Sequence, residues 1–585
     1  MWQFIKYVFA TIVGLFIFSI VGFFLFFGIM AAIGSSEEKT AVEANSVLKI
    51  NLNTPIQELS VENPFAEFSG GQGDVLGLLD IKDALANAKA DPNIKGIYLD
   101  AQYPMVGWAS AEEVRNALID FKASKKFIYA YGEVMTEKAY YLASVADKIY
   151  LNPAGGMEWN GLSAEYDFYK GTLEKLEIKP LVYRVGEYKS AVEPFFRENM
   201  SDANRLQNQT LVNEVFAHTV ENIAKSRGIT AALLNNLADS LSVDAPQDAL
   251  KHKLITHIGY YDEVETALRN ELKIKEEDKI KFVSLGKYLK AESHVKEGSS
   301  SNRIAVIVGE GAIMSGKSSD GTIGSETIAE ELRKARKDKR VKAVVLRINS
   351  PGGSALASDV MWREIQLTRK EKPVIASMSD VAASGGYYMA MGCDKIVAQP
   401  NTITGSIGVF SVLFNFEKTF RNKLGITFDR VNTHAHADWP TVTRDMTAFE
   451  NNRLQRSTEN IYATFTKKAA EGRKMPLAKL QSLASGRVWS GREAKANGLV
   501  DEFGGLDKAI ELAAQAAKLK KDDYKVRYPA EKNVFEEFFT KFTGEAEERI
   551  LQEKLGDFAP YLKTLQKLQQ MEGTQARLPF DIVIR

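Results

Sequence analysis

Two parts of this chain repeat one another at a constant spacing of 247 residues. The segment DKIYLNP at 147–153 is matched by DKIVAQP at 394–400. The same spacing pairs ALANAKADPNIKGIYL (84–99) with ELRKARKDKRVKAVVL (331–346). Several matches in one register indicate an internal duplication. We therefore expect one fold to be present twice, with a boundary near the polar segment 296–303.

Each copy alternates short apolar runs with amphipathic stretches. In the second copy, 303–313 and 343–349 have the composition of buried strands, and 325–338 has apolar residues at helical spacing. Strands that alternate with helices predict βαβ units and a largely parallel sheet. In such a sheet, the loops that bind ligands lie at the carboxyl ends of the strands. The sequence therefore predicts a tandem α/β fold.

The amino-terminal region contains one long apolar stretch. Residues 7–34 carry no charged side chain, and a helix of about 20 apolar residues spans a bilayer. Lys6 precedes the stretch, whereas Glu37 and Glu38 follow it. By the positive-inside rule, residues 1–6 stay in the cytoplasm and the rest is exported. We expect a single-pass anchor in the inner (cytoplasmic) membrane and a large body on its periplasmic, extracytoplasmic side.

The composition argues against several other functions. Lys plus Arg equals Asp plus Glu at 75 each, which is not the basic excess of a nucleic-acid-binding protein. The single cysteine, Cys393, rules out a disulfide within the chain and a zinc cluster of cysteines. The histidines show no metal-ligand spacing beyond the pair His434 and His436, which is too small a set to predict a site. We expect no metal, no cofactor and no nucleic-acid partner.

A serine among small residues follows one of the predicted strands. The strand at 373–379 is followed by Asp-Val-Ala-Ala-Ser384-Gly-Gly, and Gly352 and Gly353 come after the strand at 343–349. Both loops are expected at the same edge of a parallel sheet, where backbone N–H groups could stabilise an oxyanion. This pattern favours Ser384 as a nucleophile.

The first copy lacks these residues. At the 247-residue spacing, Glu137 stands where the second copy has Ser384. Met105 and Val106 stand where it has its two glycines. If the serine and the glycines served only close packing, the first copy should need them too. The difference favours a catalytic role for Ser384.

A serine hydroxyl is a weak nucleophile and needs a base, for which the residues leave two candidates. Lys189 lies in an apolar context, RVGEYKSAVEPFF, in the first copy. Burial can lower the pKa of a lysine by several units and leave a neutral amine. His436, in the second copy, would instead be the base of a conventional serine hydrolase. The 247-residue spacing places His436 opposite Lys189.

Four ordered motifs and the tail resemble a known family. They are VGEYKSAVEPF (185–195), INSPGGS (348–354), AASGGYY (382–388), TGSIGVF (404–410) and QARLPF (575–580). The chain resembles the signal peptide peptidase A family in its long, duplicated form, that is, Ser/Lys proteases of family S49 in the Clp-protease/crotonase superfamily. The resemblance covers nearly the whole chain after the anchor. It implies tandem Clp-protease/crotonase-like ββα domains and a helical carboxyl-terminal segment.

The resemblance also implies roles for individual residues. Ser384 matches the nucleophile of the family, and Lys189 matches its general base. Gly353 and Gly385 match the donors of the oxyanion hole. Ser406 matches a hydroxyl group that orients the lysine.

The implied activity is hydrolysis of cleaved signal peptides and similar apolar peptides at the membrane, through an acyl-enzyme and as a homotetramer. Besides a His436-dependent hydrolase, the alternatives are an acyl-CoA-binding protein of the crotonase kind and a membrane scaffold without activity. The expected division of the chain is residues 1–6 (cytoplasmic), 7–34 (anchor), 46–295 (first repeat, with the lysine), 303–515 (second repeat, with the serine) and 516–585 (helical, in subunit contacts).

Overall fold

The computed structural model describes residues 2–35, 41–60, 76–291, 300–319, 321–521, 523–528 and 573–577. Helix α1 (Trp2–Ser35) contains the predicted anchor. By length and composition, its segment Trp2–Gly22 could cross a membrane. Its described side chains are exposed rather than packed against the body of the protein.

The first copy has these elements in chain order: β1 (Ser46–Asn51), β2 (Ile56–Gln57), β3 (Leu76–Gly77), α2 (Leu78–Ala90), β4 (Ile94–Asp100), α3 (Trp108–Lys122), β5 (Phe127–Met135), α4 (Glu137–Ala143), β6 (Lys148–Met157), α5 (Lys170–Lys175), β7 (Lys179–Val185), a 3-10 helix (Ser190–Val192), α6 (Glu193–Phe196), α7 (Asp202–Arg227), α8 (Ala231–Asp239), α9 (Pro246–Lys251), β8 (His257–Ile258), α10 (Tyr261–Leu272), β9 (Phe282–Ser284) and α11 (Leu285–Lys290).

The second copy and the tail have these elements: β10 (Arg303–Glu310), β11 (Ala312–Met314), β12 (Thr322–Gly324), α12 (Ser325–Lys337), β13 (Val341–Ser350), β14 (Gly352–Ser354), α13 (Ala355–Arg369), β15 (Val374–Ala383), α14 (Gly385–Ala390), β16 (Lys395–Ala398), β17 (Ile403–Gly405), β18 (Val409–Asn415), a π-helical turn (Thr419–Lys423), α15 (Ala448–Gly472), α16 (Leu477–Leu483), β19 (Val488–Ser490), α17 (Gly491–Asn497), β20 (Glu502–Phe503), α18 (Leu506–Ala516), β21 (Lys525–Arg527) and β22 (Gly573–Arg577).

The duplication is confirmed at the level of secondary structure. Helices α2 and α12 begin 247 residues apart, and so do α3 and α13. The first copy forms a parallel sheet in the order β8-β6-β5-β4-β1-β9. The main sheet of the second copy follows the order β19-β17-β15-β13-β10-β21 and contains one antiparallel pair, β17 with β19. The predicted tandem α/β fold is therefore correct.

Strand β13 shows why these runs of apolar residues form central strands. Its residues Val344 and Leu346 belong to one core cluster. Val345, on the opposite face of the sheet, packs in another cluster with Leu506 and Ala509 of α18. A parallel strand covered on both faces needs a continuous apolar sequence, which is what the segment VKAVVLRI provides.

A third sheet joins the two copies and was not predicted. Its order is β12-β11-β14-β22-β18-β7. Strand β7 of the first copy pairs antiparallel with β18 of the second copy over seven residue pairs. This pairing places the segment that follows β7 inside the second copy.

A buried ion cluster also joins the two copies. The guanidinium of Arg347 lies 2.8 Å from Glu58 Oε2 and 2.7 Å from Glu113 Oε1, and all three side chains are buried. Lys82 contacts Glu113 at 2.6 Å. Although burial opposes ionisation, Arg347 and Lys82 hold the pKa of Glu113 at about 2. The buried positive charge of Arg347, in the second copy, is thus paired with carboxylates of the first copy.

The expectation of a helical segment at 516–585 needs a correction. Helix α18 ends at Ala516, and the described parts beyond it include strands, β21 and β22. These short segments pair with neighbouring strands, so their conformation depends on partners distant in the sequence. The amphipathic stretches at 529–572 lie outside the described residues.

Candidate active site

Ser384 lies at a sharp turn between β15 and α14. Its backbone has φ +54° and ψ −109°, a conformation that is uncommon for a residue with a side chain. The N–H of Ser384 donates to Gly405 O at 2.8 Å, which ties the turn to β17. Strained backbone of this kind persists where the surrounding structure enforces it, and it is concentrated at functional sites.

The structure brings Lys189 to Ser384. Lys189 follows β7 and precedes the 3-10 helix, and its side chain is fully buried. Its Nζ lies 2.9 Å from Ser384 Oγ and 3.0 Å from Ser406 Oγ. The carbonyl oxygen of Ser406 is 3.3 Å from the same nitrogen. Three residues named from the sequence therefore meet at one point, although the lysine comes from the other copy.

The surroundings of Lys189 disfavour a positive charge. Burial lowers the pKa of Lys189 well below the ordinary lysine value. Among the described residues, the hydrogen-bond partners of the amine are hydroxyl and carbonyl groups, and the ring of Phe410 lies 5.9 Å away. A neutral amine next to a hydroxyl group can accept its proton.

Two glycines of the second copy let the lysine segment approach closely. A Cβ atom on Gly486, which has φ +78°, would lie 2.6 Å from the Lys189 Cβ atom. A Cβ atom on Gly408 would lie 3.1 Å from Lys189 Cδ. Gly408 is within the TGSIGVF motif, but Gly486 was missed by the sequence analysis. An Ala-Ser-Gly-Arg loop carries no local signal that it will pack against a residue of the other copy.

The predicted oxyanion donors lie at the edge of the same site. Gly385 begins α14 directly after Ser384, and Gly353 lies in β14. Gly352 has φ +99°, and a Cβ atom there would lie 2.7 Å from the Gly385 nitrogen. The glycine loop and the serine turn are thus in direct contact.

A strand of the tail lies in the groove beside Ser384. Strand β22 pairs antiparallel with β14 on one side and with β18 on the other. Ala576 is buried, and a Cβ atom on Gly352 would lie 2.1 Å from its carbonyl oxygen. An extended backbone therefore fits between the glycine loop and β18, next to the serine. The rest of the QARLPF tail, 578–580, lies outside the described residues.

His436 is placed elsewhere. It lies in the irregular stretch between the π-helical turn and α15, and its side chain is 43% exposed. Its Nδ1 is 2.9 Å from Glu450 Oε1, and its ring stacks on Phe449. Within the described residues, the hydrogen bonds of Ser384 Oγ go to Lys189 and Gly408. The geometry thus gives the competing histidine no contact with the serine.

Two tandem α/β copies, in which an extended strand lies beside a buried serine paired with a lysine, indicate the class of the protein, which is a protease. The chain belongs to peptidase family S49, in the long form that contains the family domain twice. The model of Peptidase family S49 matches residues 120–275 and again 366–520.

Named relatives agree with this assignment. Protease 4 from Salmonella typhi is 38% identical over 454 residues, covering 76% of this chain and 72% of that protein. Protease 4 from Haemophilus influenzae is 33% identical over 539 residues, covering 87% and 86% respectively. A chloroplastic serine protease SPPA from Arabidopsis thaliana is 36% identical over 454 residues, covering 76% and 66%.

Proposed function

We propose that this protease hydrolyses peptide bonds with Ser384 as the nucleophile and Lys189 as the general base. The observation that carries the proposal is the 2.9 Å separation between Lys189 Nζ and Ser384 Oγ in a buried site. A nucleophile and a base in hydrogen-bond reach, with a third group that orients the base, form the usual catalytic arrangement. Ser406 is the orienting group.

The reaction would proceed in two balanced stages. In the first, Ser384 Oγ attacks the scissile carbonyl carbon as its proton passes to Lys189 Nζ, and the resulting ammonium then protonates the leaving amine. In the second, water loses a proton to Lys189 and attacks the acyl-serine ester, and the ammonium returns a proton to Ser384 Oγ as the acid leaves. The N–H groups of Gly353 and Gly385 would stabilise both oxyanions.

The proposed substrates are extended peptides. Strand β22 occupies the groove between β14 and β18, which supports binding of a substrate as an added strand. Main-chain hydrogen bonds would supply affinity, as they do whenever a peptide extends an existing sheet. Because the tail lies on this path, a substrate has to displace it.

We also propose that the site works next to a membrane on apolar peptides such as cleaved signal peptides. Helix α1 is long and apolar enough to cross a bilayer. Lys6 before it and Glu37 after it favour a body outside the cytoplasm, on the periplasmic side of the inner membrane. An anchored protease would meet peptides left in the membrane more often than a freely diffusing one.

A homotetramer remains part of the proposal. The irregular stretch before α15 exposes several apolar side chains, which supports a surface for subunit contacts. They are Leu424, Ile426, Phe428 and Val431. Light scattering of the detergent-solubilised full chain would test the subunit number.

Covalent labelling tests the nucleophile directly. The full chain is treated with a serine-directed acylating or phosphonylating inhibitor, digested and analysed by mass spectrometry. We expect the adduct on Ser384 and no adduct in Ser384→Ala. Ser482→Ala, which changes an exposed serine of α16, is the control and should label normally. An adduct on another serine, or labelling that persists in Ser384→Ala, contradicts the proposal.

A further inference from the structure

A buried glutamine lies behind the lysine. Gln207 belongs to α7 of the first copy, and its side chain is buried. Its Nε2 donates to Ser190 Oγ at 2.9 Å and to Tyr188 O at 3.2 Å, the residues on either side of Lys189. Asn204 Oδ1 is also 3.2 Å from this nitrogen. The nitrogen of the Gln207 amide therefore donates hydrogen bonds to both residues that flank the lysine.

The oxygen end of the same amide faces the second copy. The N–H of Val488, in β19, donates to Gln207 Oε1 at 3.2 Å. Val488 pairs with Gly405 of β17, and the next residue, Ser406, donates its N–H to Arg487 O at 2.7 Å. One side chain thus connects the flanks of Lys189 to the strand pair that holds Ser406.

The orientation of this amide follows from its partners. The N–H of Val488 requires an acceptor, and the carbonyl of Tyr188 requires a donor. Only a side chain with both functions at this length satisfies the two copies at once. Loss of the acceptor takes this partner from the N–H of Val488, and loss of the donor leaves the Tyr188 carbonyl with only the N–H of Ser190, at 2.8 Å. Removing a partner from a buried polar group is costly.

We propose that Gln207 is a positioning residue that holds Lys189 against Ser384 across the boundary between the two copies. The proposal rests on the function assigned to that pair. The hydrogen bonds of Gln207 go to the residues that flank Lys189 rather than to its amine or to Ser384, so Gln207 acts through the segment that carries the lysine. Lysine reaches the serine by a flexible four-carbon chain, and a misplacement of about 1 Å can cost about a hundredfold in rate.

Two substitutions separate the roles of the amide. Gln207→Met keeps the length and removes both hydrogen-bonding functions. Gln207→Glu keeps an acceptor for Val488 but opposes the Tyr188 carbonyl and adds a negative charge near the lysine. Gln209→Met is the matched control, because Gln209 is exposed on the same helix and its side chain donates to Asn213, one turn further along that helix.

The main readouts are kcat and KM for a peptide substrate and the pH profile of kcat/KM. We expect kcat to fall at least tenfold in Gln207→Met, with KM within about twofold, and Gln209→Met to match the unchanged protein. The ascending limb of the pH profile reports the pKa of the base in the free enzyme. It should move to higher pH in Gln207→Met and further in Gln207→Glu, a shift that general loss of stability would not produce.

Ser384→Ala and Lys189→Ala are measured alongside these variants. If both are inactive while folded Gln207→Met and Gln207→Glu keep the kcat and the pH limb of the unchanged protein, the positioning role is wrong and the Ser/Lys assignment stands. If Lys189→Ala stays fully active, the proposed function itself fails. Should Gln207→Met not fold, as judged by circular dichroism, Ser190→Ala takes its place, because it removes one acceptor of the amide. An unchanged pH limb in Ser190→Ala and Gln207→Glu would then overturn the proposal.

Discussion

The two copies differ most at the turn where the second copy holds Ser384. In the first copy this position is Glu137, which begins α4. Its Oε1 accepts the N–H groups of Asn160 and Gly161, at 2.8 and 2.7 Å. In the second copy, the residue equivalent to Gly161 is Gly408, whose carbonyl lies 3.4 Å from Ser384 Oγ. The same turn therefore places a hydroxyl group at the candidate site in the second copy, whereas in the first copy it places a carboxylate that backbone N–H groups hold.

The glycine loop of the second copy also differs from the corresponding loop of the first copy. Gly352 and Gly353 leave room for an extended strand in the second copy, and β22 occupies that room. In the first copy, Met105 forms a bridge with Pro55, and Lys138 Nζ donates to Val106 O at 2.6 Å. The first copy keeps the fold without the serine and the glycine loop, and it contributes a lysine to the other site instead. A shared fold thus leaves the chemistry to a few loop residues.

The largest effect should separate residues 189 and 436, which lie 247 positions apart in the sequence. Lys189→Met should lower kcat/KM for peptide hydrolysis at least about a thousandfold, because the serine loses its base. His436→Ala should stay within about twofold, because its imidazole contacts Glu450 rather than the serine. Steady-state kinetics of both variants on the same peptide substrate measures the two effects. The reverse order of sensitivity would assign the base to the second copy.

The second largest effect should come from a substitution in the buried ion cluster between the two copies. Arg347→Met leaves the buried carboxylate of Glu58 without its ion pair and leaves Glu113 with Lys82 alone, and we expect a loss of about 3–5 kcal/mol in the free energy of unfolding. Arg340→Met is the control, because Arg340 pairs with Asp338 at the surface and should change stability little. Denaturant unfolding measures both. Equal stabilities of the two variants would show that the cluster does not hold the copies together.

Removal of the tail strand should have a smaller effect, and it should raise kcat/KM rather than lower it. A chain that ends at residue 572 lacks β22, so substrate no longer competes with it for the groove. We expect kcat/KM to rise by up to about tenfold, the equivalent of one or two net hydrogen bonds. The rise should be lost when a synthetic peptide of sequence GTQAR is added in excess. An unchanged or lower kcat/KM would mean that the tail does not block the groove.

The smallest effect concerns the cost of burying the lysine. Burial lowers the pKa of Lys189 in the folded protein, whereas the unfolded chain protonates the amine below its usual pKa of 10.5. The residue therefore lowers the free energy of unfolding as the pH falls from 10.5 towards the lowered folded pKa, and adds no further change below that value. Lys189→Met should raise the thermal midpoint at pH 7 and raise it less at pH 10. A stabilisation that is the same at both pH values would contradict a neutral lysine.

Much of the site could be read from the chain because its signals are local or repeated. The spacing of 247 residues predicted two copies of one α/β fold, and the helices follow that spacing. Ser384 was singled out because the other copy has a glutamate there. The residues left both Lys189 and His436 as candidate bases, and only the resemblance to the family selected Lys189. The helical expectation for 516–585 was wrong for β21 and β22, whose pairing partners are remote in sequence.

The residues themselves determined the duplication, the α/β class and the short list of chemical groups, since these depend on periodicity and on the types of neighbouring side chains. Tertiary structure alone decided that β7 pairs with β18, and this pairing brings Lys189 to a serine 195 positions away. It also decided the place of Gln207 and of the tail strand. Pairing between distant strands depends on how the whole chain closes, which no local pattern specifies.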